Sequence, residues 1–504
     1  DAMKRRIFLT LIPALAACFA LAGAERTAQR PTEPQPAELR GRVTADGRGV
    51  EGVAVTDGRT IVRTDAKGRY RLASASDAEF VYLTLPDGYE IPAEAGAAAF
   101  YRRITGQERR YDFALRRAGR DMTRHRLVLV ADPQVYFEEE LDSVRRASAD
   151  IRRTASDGVE TFGVACGDII GDITRRPTLF GPVRDALAES GVPFFYVFGN
   201  HDMDTDVRTN DYSKRSFKER FGPTYYAFDR GKIHYVVLDD VFFLARSYLY
   251  AGYLEERQLR WLEQDLASVP AGSTVVVCLH IPTWSCAARR GEWGKEQTNK
   301  VLNNRRALYK LLEPYRAHIL SAHEHYNENY TPVPHVFEHV HAPLSTLFWQ
   351  TPLSMDGIPA GYAVYEADGG RIASWYWKAV DHDRGRQFTA YAAGADRHKP
   401  DAVTVNVWNY DPAWKVRWYE DGRCRGEMTR YTGYDESICD YVARYGDRFK
   451  YKYIGAAQTE HLFYAVPSSP DAEVRVEVTD RFGNVYEWSA GKGYTSRPAA
   501  QTAK

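Results

Sequence analysis

Two short stretches place acidic, amide and imidazole groups where they could hold metal ions: Gly167-Asp168-Ile169-Ile170-Gly171-Asp172 and Gly199-Asn200-His201-Asp202. Each follows an apolar run that reads as a buried strand, Thr161 to Cys166 and Phe194 to Phe198. A glycine at each strand end lets the backbone turn sharply, so the polar groups emerge at the carboxyl edge of a sheet. Three further strand ends do the same: Asp132-Pro133-Gln134 after Leu127 to Ala131, His280 after Thr274 to Leu279, and His323-Glu324-His325 after His318 to Ala322. Taken singly, each has an ordinary reading. Asp168 and Asp172 suit turns, Gly199-Asn200 is a common turn dipeptide, and His280, His323 and His325 could be structural or loop residues. Strand ends that repeatedly deliver Asp, Asn, Gln or His are instead a metal-site pattern. The mixture of carboxylate, amide oxygen and imidazole suits divalent Mn, Fe, Zn or Mg and argues against copper or an iron–sulfur cluster.

From Asp132 to His325, the order and strand contexts resemble the calcineurin-like metallophosphoesterase family, whose blocks run D-x-H, G-D-x-x-x-D, G-N-H-D/E, H and G-H-x-H. Two departures are visible: Gln134 stands where most members have His, and Ala322 where the last block usually has Gly. The resemblance implies an α/β fold, a two-sheet α/β/β/α sandwich, and two bound divalent metal ions. By match to the motif, Asp168 bridges the pair. Asp132, Gln134 and His325 complete the first site; Asn200, His280 and His323 complete the second. A neutral amide oxygen at Gln134 implies a weaker, harder first site that tilts toward Mn or Mg. Two such ions about 3.5–4 Å apart stabilise both the attacking and the leaving oxygens of a phosphoryl centre and lower the pKa of a bound water. His201 is not a ligand in this scheme. It protonates the leaving oxygen or stabilises transition-state charge, with Asp172 orienting it and Asp202 as the alternative. His339 and His341, which alternate like strand residues, and Trp284 are candidate substrate contacts, each more simply read as a packing or solvated residue. The same holds for Trp293, Tyr326 and Trp349, and Arg289-Arg290 could attract a phosphate or be a solvated loop.

The elements that must position these groups follow from periodicity. Leu141, Val144, Ala147, Ile151 and Ala155 recur at helical spacing, as do Leu259, Leu262 and Leu266, and then Val301, Leu308, Leu311 and Leu312. Such strand–helix alternation implies a largely parallel sheet core over about 121–378. Before it, short strands with Gly and Asp turns, among them Thr64-Asp65-Ala66-Lys67-Gly68-Arg69-Tyr70, suggest a β-sandwich over 38–117. That phrase resembles the carboxypeptidase-regulatory-like module of exported bacterial proteins. After the core, period-two runs such as Val403 to Trp408 and Glu473 to Val478 predict a β-rich domain over 379–492. The three-part arrangement resembles exported bacterial members of the family with added N- and C-terminal domains.

At 504 residues the chain exceeds one ordinary domain, and 44% apolar with 27% charged residues is the composition of a folded protein. Sixty-seven basic residues balance 67 acidic ones, which disfavours a dedicated nucleic-acid surface. Lys4-Arg5-Arg6 before an apolar run from Ile7 to Leu21 reads as an export signal over 1–24, with Asp1-Ala2 ahead of Met3 as an appended scar and a tether over 25–37. Cleavage before Glu25 is favoured over lipidation at Cys18, because Phe19-Ala20-Leu21 continues the apolar run past the cysteine; a membrane partner is expected only with the second. The expected location is periplasmic or at the cell surface. Cys166 and Cys278 fall on buried strands, and Cys424 with Cys439 could pair. The expected activity is hydrolysis of phosphate esters, phosphodiesters or pyrophosphates first, on a small or envelope-derived substrate, by a hydroxide held between the metals. A phosphomonoesterase and a non-catalytic glycan-binding surface protein are the alternatives. The 33 tyrosines fit a glycan or lipid-facing surface and equally fit aromatic β packing.

Overall fold

The structure, a computed structural model, describes residues 37–173, 176–246, 248–286 and 297–499. The expected export signal, Cys18, most of the tether, Arg289, Arg290 and Trp293 lie outside the described residues. No described helix is long and apolar enough to cross a membrane.

The core is built from two sheets. In the first, strands His125–Val130, Glu160–Cys166 and Phe194–Val197 run parallel in that order, and Gly361–Asp368 and Arg371–Ala379 add antiparallel on the outer side of His125–Val130. In the second, Ile233–Val237, Thr274–Cys278, Arg316–Ser321 and Val336–Val340 run parallel, flanked by antiparallel Tyr226–Arg230 and Glu328–Val333. Successive side chains of a strand point to opposite faces, and the buried residues sort accordingly. Leu127, Leu129, Phe162 and Val164 pack with Val237, Val275, Val277 and Ile319 of the second sheet. Val128, Val130 and Ala165 pack instead with Val144, Ile151 and Val183 of the helices Leu141–Thr154 and Phe180–Ala188. The helices Glu256–Leu266 and Arg305–Leu312 contribute Trp261, Leu262, Leu308 and Leu312 to the inner cluster from the other side. This is the expected α/β/β/α sandwich. Val301, expected to open the last of these helices, is buried ahead of it.

The N-terminal part forms two four-stranded sheets, one centred on Ala37–Ala45 and one on Ala54–Thr56 and Phe80–Leu83. Ala37, the end of the expected tether, already belongs to its first strand. It is docked rather than appended. Ala97–Ala98 pairs with the core strand at Phe194, the Phe100 ring lies 4.5 Å from Tyr226, and Thr84 Oγ1 donates to Asp265 Oδ1 at 3.2 Å. The C-terminal part packs a four-stranded sheet through Val403–Val407 and Thr459–Ala465 against a five-stranded sheet through Lys415–Glu420 and Val474–Thr479. It also holds a helix, Glu436–Tyr445, that strand periodicity did not predict, started by the Asp435 carboxylate accepting from Ser437 N and Ile438 N. Cys424 and Cys439, whose pairing the sequence leaves open, are free thiols.

Candidate metal centre

Every expected ligand stands just past the carboxyl end of a parallel strand, and the sandwich brings these ends to one edge. Asp132, Gln134, Asp168, His323 and His325 have φ of 42°, 37°, 49°, 68° and 62°, a left-handed conformation uncommon for residues with a side chain. Backbone strain concentrated on five donors is what a site held by its surroundings looks like. The glycines matter through close approach. A Cβ on Gly167 would lie 2.3 Å from His280 Nδ1, and one on Gly199 would lie 2.0 Å from Asp168 N.

The donors converge. Ligand atoms of Asp168, His280 and His323 all lie within 4.8 Å of one another, and all three side chains are buried. His280 Nε2 is 3.1 Å from Asn200 Oδ1 and 3.3 Å from Asp168 Oδ1. Gln134 Nε2 donates to Asp168 Oδ2 at 3.1 Å, and His325 Nε2 lies 3.6 Å from Asp132 Oδ1. Each of two imidazoles has one nitrogen taken by a backbone carbonyl: His280 Nδ1 by Cys166 at 3.0 Å and His323 Nε2 by Asn299 at 2.9 Å. That leaves the opposite nitrogen facing the cluster, the usual outer support of a metal-bound histidine.

These residues fit a pair of hard-to-borderline divalent ions. Asp132 Oδ1 and Gln134 Oε1 are buried oxygens that accept no hydrogen bond, which is costly unless a cation lies against them. The electrostatics agree. Burial works to raise the Asp168 carboxyl, yet the imidazoles of His280 and His201 hold it below the usual range. Burial works to lower His280, and the facing Asp168 carboxylate instead lifts it to about 10. Burial, with Lys300 and His280 nearby, drives His323 well below its ordinary value.

His201 stands at the edge of the cluster. Its backbone N–H donates to Asp168 Oδ1 at 2.8 Å, and its ring Nδ1 is 2.6 Å from the Gly171 carbonyl. The expected orienting carboxylate is therefore corrected. The backbone oxygen one residue earlier holds the ring, while Asp172 accepts from the Tyr248 hydroxyl at 2.7 Å. Asp202, the alternative, is buried and accepts from Gly199 N at 3.0 Å and Ile169 N at 2.9 Å. It ties the two glycine-led turns together.

A cavity of about 210 Å³ opens over the donors, with His201, Tyr250, Lys300 and Phe348 in its wall. The expected substrate contacts are not there. His339, on Val336–Val340, and His341, just past its end, are buried on the same side; His339 bonds His318 and Asn329, and His341 bonds the Ser321 carbonyl and Tyr365. Alternation put them on a common face, but that face is the sheet interior, where burial drives both imidazoles below their ordinary value. Trp284 is edge-on to Tyr330 at 4.6 Å and does not line the cavity. Motif reading missed Asp240, whose carboxylate accepts from His280 N at 3.2 Å and Ile281 N at 3.0 Å. Burial pushes it up to about 7. Its only sequence signal is an acid pair, Asp239-Asp240, ending a buried strand.

A cluster of candidate metal ligands at the strand ends of a two-sheet sandwich defines a metal-binding α/β protein. The model of the calcineurin-like phosphoesterase matches residues 125–327, that of the N terminal of calcineurin-like phosphoesterase matches 37–118, and that of the C terminal of calcineurin-like phosphoesterase matches 338–486. The chain belongs to the calcineurin-like phosphoesterases, carries both companion domains of that family, and is a metal-dependent phosphoester hydrolase. The family implies divalent metal ions, typically two. Among solved structures, a dimetal phosphatase from Danio rerio is similar at 17% identity, covering 49% of this chain and 93% of its own, with a TM-score of 0.36. GAP50, the anchor in the inner membrane complex of Plasmodium, shares 10% identity over 52% of this chain and 90% of its own at a TM-score of 0.32. A 5'-nucleotidase from Candida albicans shares 11% identity over 51% of this chain and 52% of its own at a TM-score of 0.31. No curated protein matches the chain.

Proposed function

We propose that this protein hydrolyses phosphodiesters, with His201 protonating the departing oxygen. The observation that supports a diester over a monoester is the charge of the cavity wall. Among the described residues it holds one lysine, Lys300, and no arginine, and Lys300 Nζ lies 3.3 Å from Glu324 Oε1. Among these residues the wall adds little positive charge to that of the metals, which suits a diester monoanion better than a monoester dianion. Divalent ions held by Asp132, Gln134, Asp168, Asn200, His280, His323 and His325 would supply Lewis-acid stabilisation and a nucleophile at neutral pH. Gln134 favours Mn or Mg among them, as the harder choice. His201, held through Nδ1 by Gly171, keeps Nε2 for the substrate and suits proton delivery at that atom. Export to the periplasm or cell surface, as the residues from Lys4 to Ala24 suggest, belongs to the same proposal and is checked by cell fractionation. The functional test is metal content of the purified protein together with turnover of bis-p-nitrophenyl phosphate against p-nitrophenyl phosphate. Faster turnover of the monoester would overturn the diester assignment.

A further inference from the structure

The rim of the cavity carries aromatic rings drawn from distant parts of the chain. Phe348 lines the cavity, and its ring centroid lies 5.6 Å from that of His325. Tyr451 and Tyr453, which follow the helix Glu436–Tyr445 of the C-terminal part, lie 5.9 and 6.4 Å from Phe348. Tyr136 lies 5.6 Å from Tyr451 and 6.5 Å from His201. Rings thus run unbroken from the donors to Tyr453, which is 77% exposed.

Two independent features hold this arrangement. Thr346, Phe348 and Trp349 have φ of 54°, 50° and 63°. Such a cluster of non-glycine residues in the left-handed region, one of them β-branched, persists only where its surroundings enforce it. Trp349 Nε1 donates to the Pro133 carbonyl at 2.9 Å and Thr346 Oγ1 to the Thr351 carbonyl at 2.7 Å, which pins the turn beside the ligand Gln134. The C-terminal segment is fastened to the same loop: Lys450 N donates to Gln350 Oε1, and Ala457 N donates to the carbonyl of Met355, another wall residue, at 2.8 Å. Phe348, Tyr451 and Tyr453 meet at interplanar angles of 75°, 65° and 40°, so none is stacked flat on another, and the outermost ring, Tyr453, is open to a further ring.

We propose that Phe348, Tyr451 and Tyr453 form a stacking subsite for a planar ring, a nucleobase or aryl group, on the ester group that the substrate retains. Phe348 adjoins His325, whereas the departing oxygen belongs beside His201. The subsite rests on the phosphodiesterase reading. It makes the C-terminal domain a determinant of substrate choice.

The test compares thymidine 5′-(p-nitrophenyl phosphate) with methyl p-nitrophenyl phosphate, which share a leaving group and differ in the retained ring. In Tyr453→Ala and Tyr451→Ala the ratio of kcat/KM for the two esters should fall about five- to hundredfold, the range a stacked base loses on truncation of its aromatic partner. Tyr453→Phe should restore the wild-type ratio. Calorimetry with adenosine against ribose reads the subsite without phosphoryl chemistry, and adenosine should bind the wild type more tightly. An unchanged ratio in both alanine variants, or adenosine binding no tighter than ribose, overturns the subsite. If the wild type turns over neither diester, the diesterase reading falls and the adenosine titration decides the subsite alone.

Discussion

Replacing His201 with alanine separates the roles within the site. The side chain is not among the converging donors, and the contact that His201 makes with Asp168 is through its backbone N–H, which alanine keeps. Metal content should therefore survive. The structural loss is the ring's hydrogen bond to the Gly171 carbonyl, on the order of 1 kcal/mol, so the variant should fold. The catalytic loss depends on the leaving group. General acid help is worth about 10²–10⁴-fold, or about 2.7–5.4 kcal/mol of barrier, where an alkoxide must depart. A nitrophenolate leaves readily without a proton and is spared most of this. The assay is kcat/KM of wild type and variant on a dialkyl phosphodiester and on bis-p-nitrophenyl phosphate, with metal analysis of both proteins. The dialkyl ester should lose about a hundredfold or more, and the nitrophenyl ester far less. Equal losses on both substrates would refute proton delivery and point to charge stabilisation. Loss of an ion would refute the placement of His201 outside the ligands.

Asp168→Asn should strip or uncouple the metals and lower activity by several orders of magnitude, because a carboxylate bridges two cations and a neutral amide does not; metal analysis with circular dichroism checks that the fold survives. Gln134→His should tighten the first site and shift its preference toward Zn or Fe, the softer partners of imidazole, as read by titration of the apo protein. His234 sits between Asp229 and Asp265, each 2.7 Å away. Burial works to lower it, and Asp265 above all lifts it to about 10. A raised histidine stabilises the fold fully below its unfolded pKa, near 6.5, and this contribution is lost as pH rises through about 10. Denaturant melts of wild type and His234→Gln from pH 6 to 10.5 should show a stability gap that is widest near pH 6 and closes toward the alkaline end; a constant gap would contradict the ion-pair account.

The strand-end placement of the candidate ligands was legible in the sequence because it is written locally. An apolar run makes a strand, and the first polar residue past it stands at the sheet edge whatever packs elsewhere, after a glycine at Asp168 and Asn200 and directly after the run at Asp132, His280 and His323. Asp132, Asp168, Asn200, His280 and His323 were found this way, and the helix at Leu141–Thr154 was equally legible from its 3.6-residue period. What the sequence left open depended on which face turns inward and on which backbone atoms come near. Alternation made His339 and His341 neighbours on one face, but only the packing of the two sheets made that face the interior. The Gly171 carbonyl displaced Asp172 as the support of His201 because a backbone acceptor leaves no mark in the sequence. Asp240 reaches the site by accepting from the amides of His280 and Ile281, 40 and 41 residues later. The rings of Tyr451 and Tyr453 meet Phe348 across about a hundred residues. No period or spacing encodes such a contact, because the tertiary packing of segments distant in sequence creates it.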